Sequence, residues 1–181
     1  GSGEFVVLCF GGSLGAGKSN STMIHVIEAV SGMPDTRLYF ITGKNYYSKV
    51  LASLKEREIN LEDNINILEY ADNMHEYLSA ADLVISRAGA LTVSEITACG
   101  KASILIPSPN VTGNHQFFNA KVVADQGGGI IIEEKDLSDE KLLGTVLRLN
   151  SNKEALNGMS AASAKIGRMD AVDVIYDHLG L

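Results

Sequence analysis

The sequence predicts a doubly wound α/β domain of Rossmann-like type, a six-stranded parallel sheet in the order 3-2-1-4-5-6. Three observations predict it. Short β-branched runs alternate with amphipathic stretches, which implies right-handed crossovers and a sheet covered on both faces. Runs such as Val6-Val7-Leu8 and Ile104-Leu105-Ile106 are continuously apolar rather than alternating, as strands buried on both faces must be. Glycine and alanine are enriched at two strand-to-helix junctions, Gly11–Gly17 and Arg87–Leu91.

The expected strands are Phe5–Phe10, Arg37–Thr42, Asn64–Glu69, Asp82–Ser86, Ala102–Pro107 and Gly129–Ile132, most bounded by Gly, Pro, Asn or Asp. Helices are expected at Ser19–Val30, Tyr46–Lys55, Met74–Ala80, Thr92–Ala98, His115–Asp125 and Asp139–Leu149, with two more at Lys153–Ile166 and Ala171–His178. In such a sheet, ligands bind beyond the carboxyl ends of the strands where strand order reverses. The two glycine-rich loops flank that point, and each opens a helix whose first N–H groups and dipole favour an anion. For either loop alone the alternative is a plain tight turn, and the presence of both at the switch point weighs against it.

Composition sets the limits. The 181 residues suit one domain, and 45% hydrophobic with 20% charged residues excludes a disordered chain or a coiled coil. A net charge of -7 and a pI near 5.0 are the wrong sign for a nucleic-acid or anionic-lipid surface, so any phosphate must be held locally. No apolar run approaches the roughly 20 residues of a membrane-spanning helix. Cys9 and Cys99, in apolar surroundings, read as reduced packing residues, and their number leaves no zinc or redox motif. His25 and His178 read as helix-face residues and His75 as lying near a helix start. The opening Gly1-Ser2-Gly3, without methionine, is expected to be a cloning remnant spanning residues 1–4.

Gly12, Gly17, Lys18 and Ser19 satisfy the phosphate-loop spacing G-x-x-x-x-G-K-[ST]. A nucleotide triphosphatase also needs an acid ending a neighbouring apolar strand to hold magnesium. The best candidate, Glu133 after Ile130-Ile131-Ile132, belongs to the last strand, while the strand ending at Ser86 runs into Arg87. An ATPase or kinase using Lys18 and Ser19 is therefore the rival reading.

The run Ser86-Arg87-Ala88-Gly89-Ala90-Leu91-Thr92-Val93-Ser94-Glu95 resembles the donor-site loop and helix of the MurG family, bacterial UDP-N-acetylglucosamine transferases that make lipid II. Further similarities follow in order: Gly11-Gly12-Ser13-Leu14-Gly15-Ala16, then Asn20 with Thr22-Met23, Glu69-Tyr70 with Asp72 and Met74, Pro107, and His115-Gln116 with Asn119-Ala120. The likeness runs from Phe5 to the last helix. It implies the nucleotide-sugar half, residues 5–181, of a two-domain GT-B glycosyltransferase whose acceptor domain is absent. The departure at Gly17-Lys18-Ser19, where the family varies, makes the phosphate-loop match accidental on this reading.

By the same resemblance, Glu95 accepts hydrogen bonds from the ribose diol; the alternative is a capping box, Thr92-Val93-Ser94-Glu95, with only structural work. Ala90, Leu91 and Thr92 meet the diphosphate from one side, and Ser13 with the N–H groups of Leu14, Gly15 and Ala16 from the other, unless Ser13 merely closes an ST-turn. Ala71 faces the base. Arg87 steadies the leaving diphosphate or forms an ion pair with Asp82 or Glu95. Gln116, with His115 and Asn119, reads the sugar hydroxyls, although Asn119 equally suits a bond to loop backbone. No metal or other cofactor is implied. The family's general base lies in the other half, so the chain is expected to bind donor and not turn over. The partners implied are UDP-N-acetylglucosamine or UDP, the acceptor domain and, through it, a lipid-linked acceptor, with no nucleic acid and no membrane insertion. The full-length protein is expected in the cytoplasm, peripheral on the inner face of the plasma membrane. Two alternatives share or depart from this chemistry: a separate donor subunit, as in the two-subunit eukaryotic enzyme of the dolichol pathway, and a nonenzymatic nucleotide-sugar sensor.

Overall fold

The computed structural model describes residues 3–11 and 17–167. Its sheet has six strands, β1 (Phe5–Phe10), β2 (Thr36–Ile41), β3 (Ile65–Leu68), β4 (Leu83–Ser86), β5 (Ala102–Leu105) and β6 (Gly129–Ile131). They are arranged β3-β2-β1-β4-β5-β6, and every pair is parallel. Phe10, the last residue of β1, stands opposite Ile41 on one side and Ser86 on the other, which puts the ends of β1, β2 and β4 level.

Among the described residues seven helices link and cover the strands: α1 (Gly17–Val30), α2 (Tyr47–Glu56), α3 (Met74–Ala80), α4 (Ala90–Ala98), α5 (His115–Asp125), α6 (Asp139–Ser151) and α7 (Lys153–Ile166). The continuous apolar strands feed two cores, one on each face. Val7, Cys9, Leu38, Phe40, Ile85 and Ile104 join Met23 and Ile27 of α1, Val50 of α2 and Leu142 of α6. Leu8, Phe10, Val84 and Leu105 join Leu78 of α3, Ile96 of α4, and Ala120 and Val123 of α5. Burial of large apolar side chains at about 1.5 to 3 kcal/mol each is the main stabilising term. Helix α1 leaves β1 on one face and α4 leaves the neighbouring β4 on the other, so strand order reverses between these two strands, the switch point at which doubly wound sheets bind ligands.

The expected strands agree with the structure to within two residues at either end. Asp82 stands just before β4, as the sequence suggests, and its carboxylate accepts the Val6 N–H at 2.8 Å. Two expectations need correction. Helix α4 begins at Ala90 rather than Thr92, with Gly89 at the N-cap. Cys99 is exposed, because the chain turns away after Ala98, whereas Cys9 is buried as expected. His25 is a helix-face residue of α1, as expected, and the structure adds its partners: its Nδ1 lies 2.9 Å from Asp139 of α6, and Arg57, just after α2, donates to its Nε2 at 2.7 Å. The helix expected at 171–178 lies outside the described residues.

Candidate functional site

At the carboxyl end of β4 the chain passes through Arg87, Ala88 and Gly89 into α4. No side chain caps this helix, and the first intrahelical bond is donated by the Val93 N–H to the Gly89 carbonyl at 2.9 Å. The N–H groups of Ala90, Leu91 and Thr92 thus precede the hydrogen-bonded ladder and, with the helix dipole, have the chemistry that suits an anion. Small residues there leave the backbone accessible. The Thr92 hydroxyl stands over Gly89, so that a β-carbon placed on the glycine would be 3.8 Å from the hydroxyl oxygen. Leu91 is 73% exposed.

Glu95 is exposed on the same helix, at the rim of a groove of about 630 Å3 between α4 and α5 that Ala90, Ser94 and Asn119 also line. Since α4 starts at Ala90, Glu95 is the sixth helical residue and stands too far along to reach the N-cap amide, so the capping-box alternative falls.

The loop before α4 is held from two directions. Asn119 of α5 donates from its side-chain amide to the Ala88 carbonyl at 3.0 Å. Arg87 donates to the carbonyls of Ile106 and Pro107, each at 3.2 Å, and pairs with Glu134 at 2.5 Å. The ion-pair partner is thus Glu134, not Asp82 or Glu95. Glu134 opens a single 3-10 turn, Glu134–Asp136, after β6; no sequence pattern marks it, because its importance comes from a fold that places it over Arg87.

Gln116 accepts the Ser108 N–H through its side-chain oxygen at 2.9 Å, fastening the β5–α5 loop to the first turn of α5. His115 is exposed as the first residue of that helix, its ring 3.0 Å from where a β-carbon on Gly113 would lie. Gly113 has φ of +65°, a left-handed conformation that suits glycine. Ala71 lies across the sheet end in the β3–α3 loop, partly buried against the second core. Beside it Tyr70 is half-exposed, with the Lys44 ammonium 5.6 Å from its ring centre, a cation and aromatic pair that sequence reading missed. Asn20 of α1 is buried and donates to the Thr42 carbonyl at 3.0 Å, tying α1 to the end of β2.

The structure therefore places Ala90, Leu91, Thr92 and Glu95 on α4 and His115, Gln116 and Asn119 on α5, joined by the bond from Asn119 to Ala88, while the Arg87 guanidinium is turned toward Glu134. Ser13, Leu14, Gly15 and Ala16 lie outside the described residues. Lys18 and Ser19 fall in the first turn of α1. The strands flanking β1 are followed by Thr42 and Arg87, neither an acid, and Glu133 follows the edge strand β6 and pairs with Lys135 at 3.2 Å. Among the described residues no group of His, Cys, Asp and Glu side chains is arranged to hold a metal ion, and no helix is long and apolar enough to cross a membrane.

A parallel doubly wound sheet with an uncapped helix end after β4 has the architecture of the nucleotide-binding class of α/β domains. The particular family follows from comparison: residues 6–175 match the glycosyltransferase family 28 C-terminal domain, and the chain belongs to that family. It is 42% identical over 171 residues to a protein of Thermoanaerobacter sp. (strain X514) named UDP-N-acetylglucosamine--N-acetylmuramyl-(pentapeptide) pyrophosphoryl-undecaprenol N-acetylglucosamine transferase, matching 94% of this chain and 46% of that one. A protein of the same name from Oenococcus oeni is 44% identical over 170 residues, 94% of this chain and 45% of the relative. The chain spans about half the length of the curated relatives it matches. Among solved structures it is similar to Acinetobacter baumannii MurG, with a TM-score of 0.81 and 26% identity over 98% of this chain and 50% of that one. A UDP co-structure of S. aureus MnaA shares the fold at a TM-score of 0.72 and 16% identity, over 98% of this chain and 46% of that one.

Proposed function

We propose that this chain is the donor-binding half of an inverting glycosyltransferase that moves N-acetylglucosamine from UDP to a lipid-linked muramoyl-pentapeptide, the lipid I to lipid II step of peptidoglycan synthesis. The observation that carries the reading is the amino end of α4: three backbone N–H groups without a side-chain cap, the Thr92 hydroxyl above them, and Glu95 further along the same helix. The names of the relatives support it.

On this reading the diphosphate lies against Ala90, Leu91 and Thr92, with Ser13, Leu14, Gly15 and Ala16 closing from the β1 side. The ribose diol is matched by the two oxygens of Glu95, and the base stands near Ala71. His115, Gln116 and Asn119 sit on the helix that faces the sugar, with the amide nitrogen of Gln116 as its donor. Negative charge developing on the leaving diphosphate is met by backbone dipoles, so no metal is required. The acceptor and the general base belong to a region outside this chain, and the whole enzyme works on the cytoplasmic face of the membrane.

Calorimetric titration with UDP, with UDP-N-acetylglucosamine, and with ATP plus magnesium tests the reading. The first two should bind without added metal. Strict magnesium dependence or a preference for ATP would overturn it and restore the phosphate loop.

A further inference from the structure

Arg87 follows β4 directly, but its guanidinium is directed toward the neighbouring strands. Nη1 donates to Ile106 and Pro107 at the end of β5, and Nη2 meets Glu134 beyond β6. All three partners lie on the β5 and β6 side of β4, whereas the switch point in strand order lies on the β1 side. The two side chains are 15% and 20% exposed, so the pair is largely withdrawn from water.

These contacts form part of a closed circuit. Arg87 grips the start of the β5–α5 loop; Ser108 in that loop donates to Gln116 in the first turn of α5; and Asn119, further along α5, donates back to Ala88, the residue after Arg87. The circuit fixes the first turn of α5 against the amino end of α4. A guanidinium presents a rigid planar fork and stays charged at any working pH, so it can hold two carbonyls and a carboxylate in one geometry.

We infer that Arg87 and Glu134 are a positioning pair that sets His115 and Gln116 against the diphosphate-binding end of α4, governing how the donor sugar is read. The inference rests on the donor-site reading above. It assigns Arg87 no contact with phosphate, and it gives Glu134 a part in sugar recognition. Removing the carboxylate leaves the guanidinium to seek another partner, and the Pro107 end of the loop moves with it.

The test measures Kd for UDP and for UDP-N-acetylglucosamine on the parent chain, Glu134→Gln, Arg87→Lys and the double variant. Glu134→Gln should weaken the nucleotide sugar about threefold to tenfold while UDP changes by less than about twofold. The double variant should be no weaker than the worse single one, because both changes break one device. If Glu134→Gln unfolds the chain, Glu134→Asp keeps the charge, shortens the arm and should shift the same ratio. Tighter UDP binding by Glu134→Gln would show Arg87 freed to meet phosphate and would overturn the inference. Equal losses for both ligands, no loss for either, or additive losses in the double variant would also overturn it. A parent chain that binds neither ligand removes the donor-site reading itself, and the inference with it.

Discussion

Asn119 donates its side-chain amide to the carbonyl of Ala88 across 3.0 Å, joining the first half of α5 to the loop that delivers α4. Ala88 is fully buried, so its carbonyl has little access to water. Asn119→Ala removes the donor and should cost about 1 to 3 kcal/mol, the range for leaving a buried polar group unsatisfied. For a chain of this size that lowers Tm by about 2 to 4 °C per kcal/mol. Asn119→Asp, which sets a carboxylate against the carbonyl, should be no better tolerated. Melting unchanged in both variants would show that the bond does not hold the loop.

Glu95 no longer has a capping role to lose. Glu95→Gln should therefore leave Tm within about 1 °C, the small effect of a surface substitution away from special features. On the donor-site reading the same variant loses charge-assisted bonds to the ribose diol and binds UDP about ten- to a hundredfold more weakly. Melting curves and calorimetry on one variant decide it. Parent-like UDP binding would remove Glu95 from the site.

Lys18 distinguishes the two nucleotide readings. Lys18→Ala should alter UDP affinity by less than about 0.5 kcal/mol. A tenfold loss, about 1.4 kcal/mol, would put the lysine on phosphate. The flanking strands β2 and β4 run into Thr42 and Arg87, which leaves the magnesium of a phosphate-loop enzyme without its acid there.

The cysteines should differ in reactivity. Cys99 is exposed, whereas burial pushes the Cys9 thiol far above its ordinary value of 9.0. A thiol reagent at neutral pH should modify one cysteine in the folded chain and the second only on unfolding; two fast modifications would contradict the burial of β1. Because the folded state holds the Cys9 proton more tightly than the unfolded state, its contribution to stability is fully present below pH 9.0 and is lost as pH rises above it. The loss amounts to at most about 1.4 kcal/mol per pH unit. Denaturant titrations from pH 8 to 10.5 should show a shallower alkaline slope for Cys9→Ala than for the parent, whatever the cavity costs at neutral pH.

The fold was legible because its signals are local. Continuous apolar runs identify doubly covered strands, helical periodicity fills the gaps, and the handedness of parallel crossovers restricts their order. The candidate site was legible in part for the same reason: junctions rich in glycine and alanine at the switch point are readable one loop at a time. The start of α4 was not, because Thr92 and Glu95 imitate a capping box while Gly89, Ala90 and Leu91 carry no side-chain signal for an N-cap. Cys99 was misread from apolar neighbours in the chain, which say nothing about which way the helix end faces.

By itself the sequence determined the sheet, its order and the place where a ligand would enter, since backbone hydrogen bonding and burial of apolar runs act over a few residues at a time. Only the tertiary structure decided what holds that place in shape. Arg87 meets Glu134, Asn119 meets Ala88, and His25 meets both Arg57 and Asp139 across long stretches of chain. A charged or amide group can satisfy many partners equally well, so nothing in the local pattern chooses among them; the choice is made by which partners the folded backbone brings within hydrogen-bond reach.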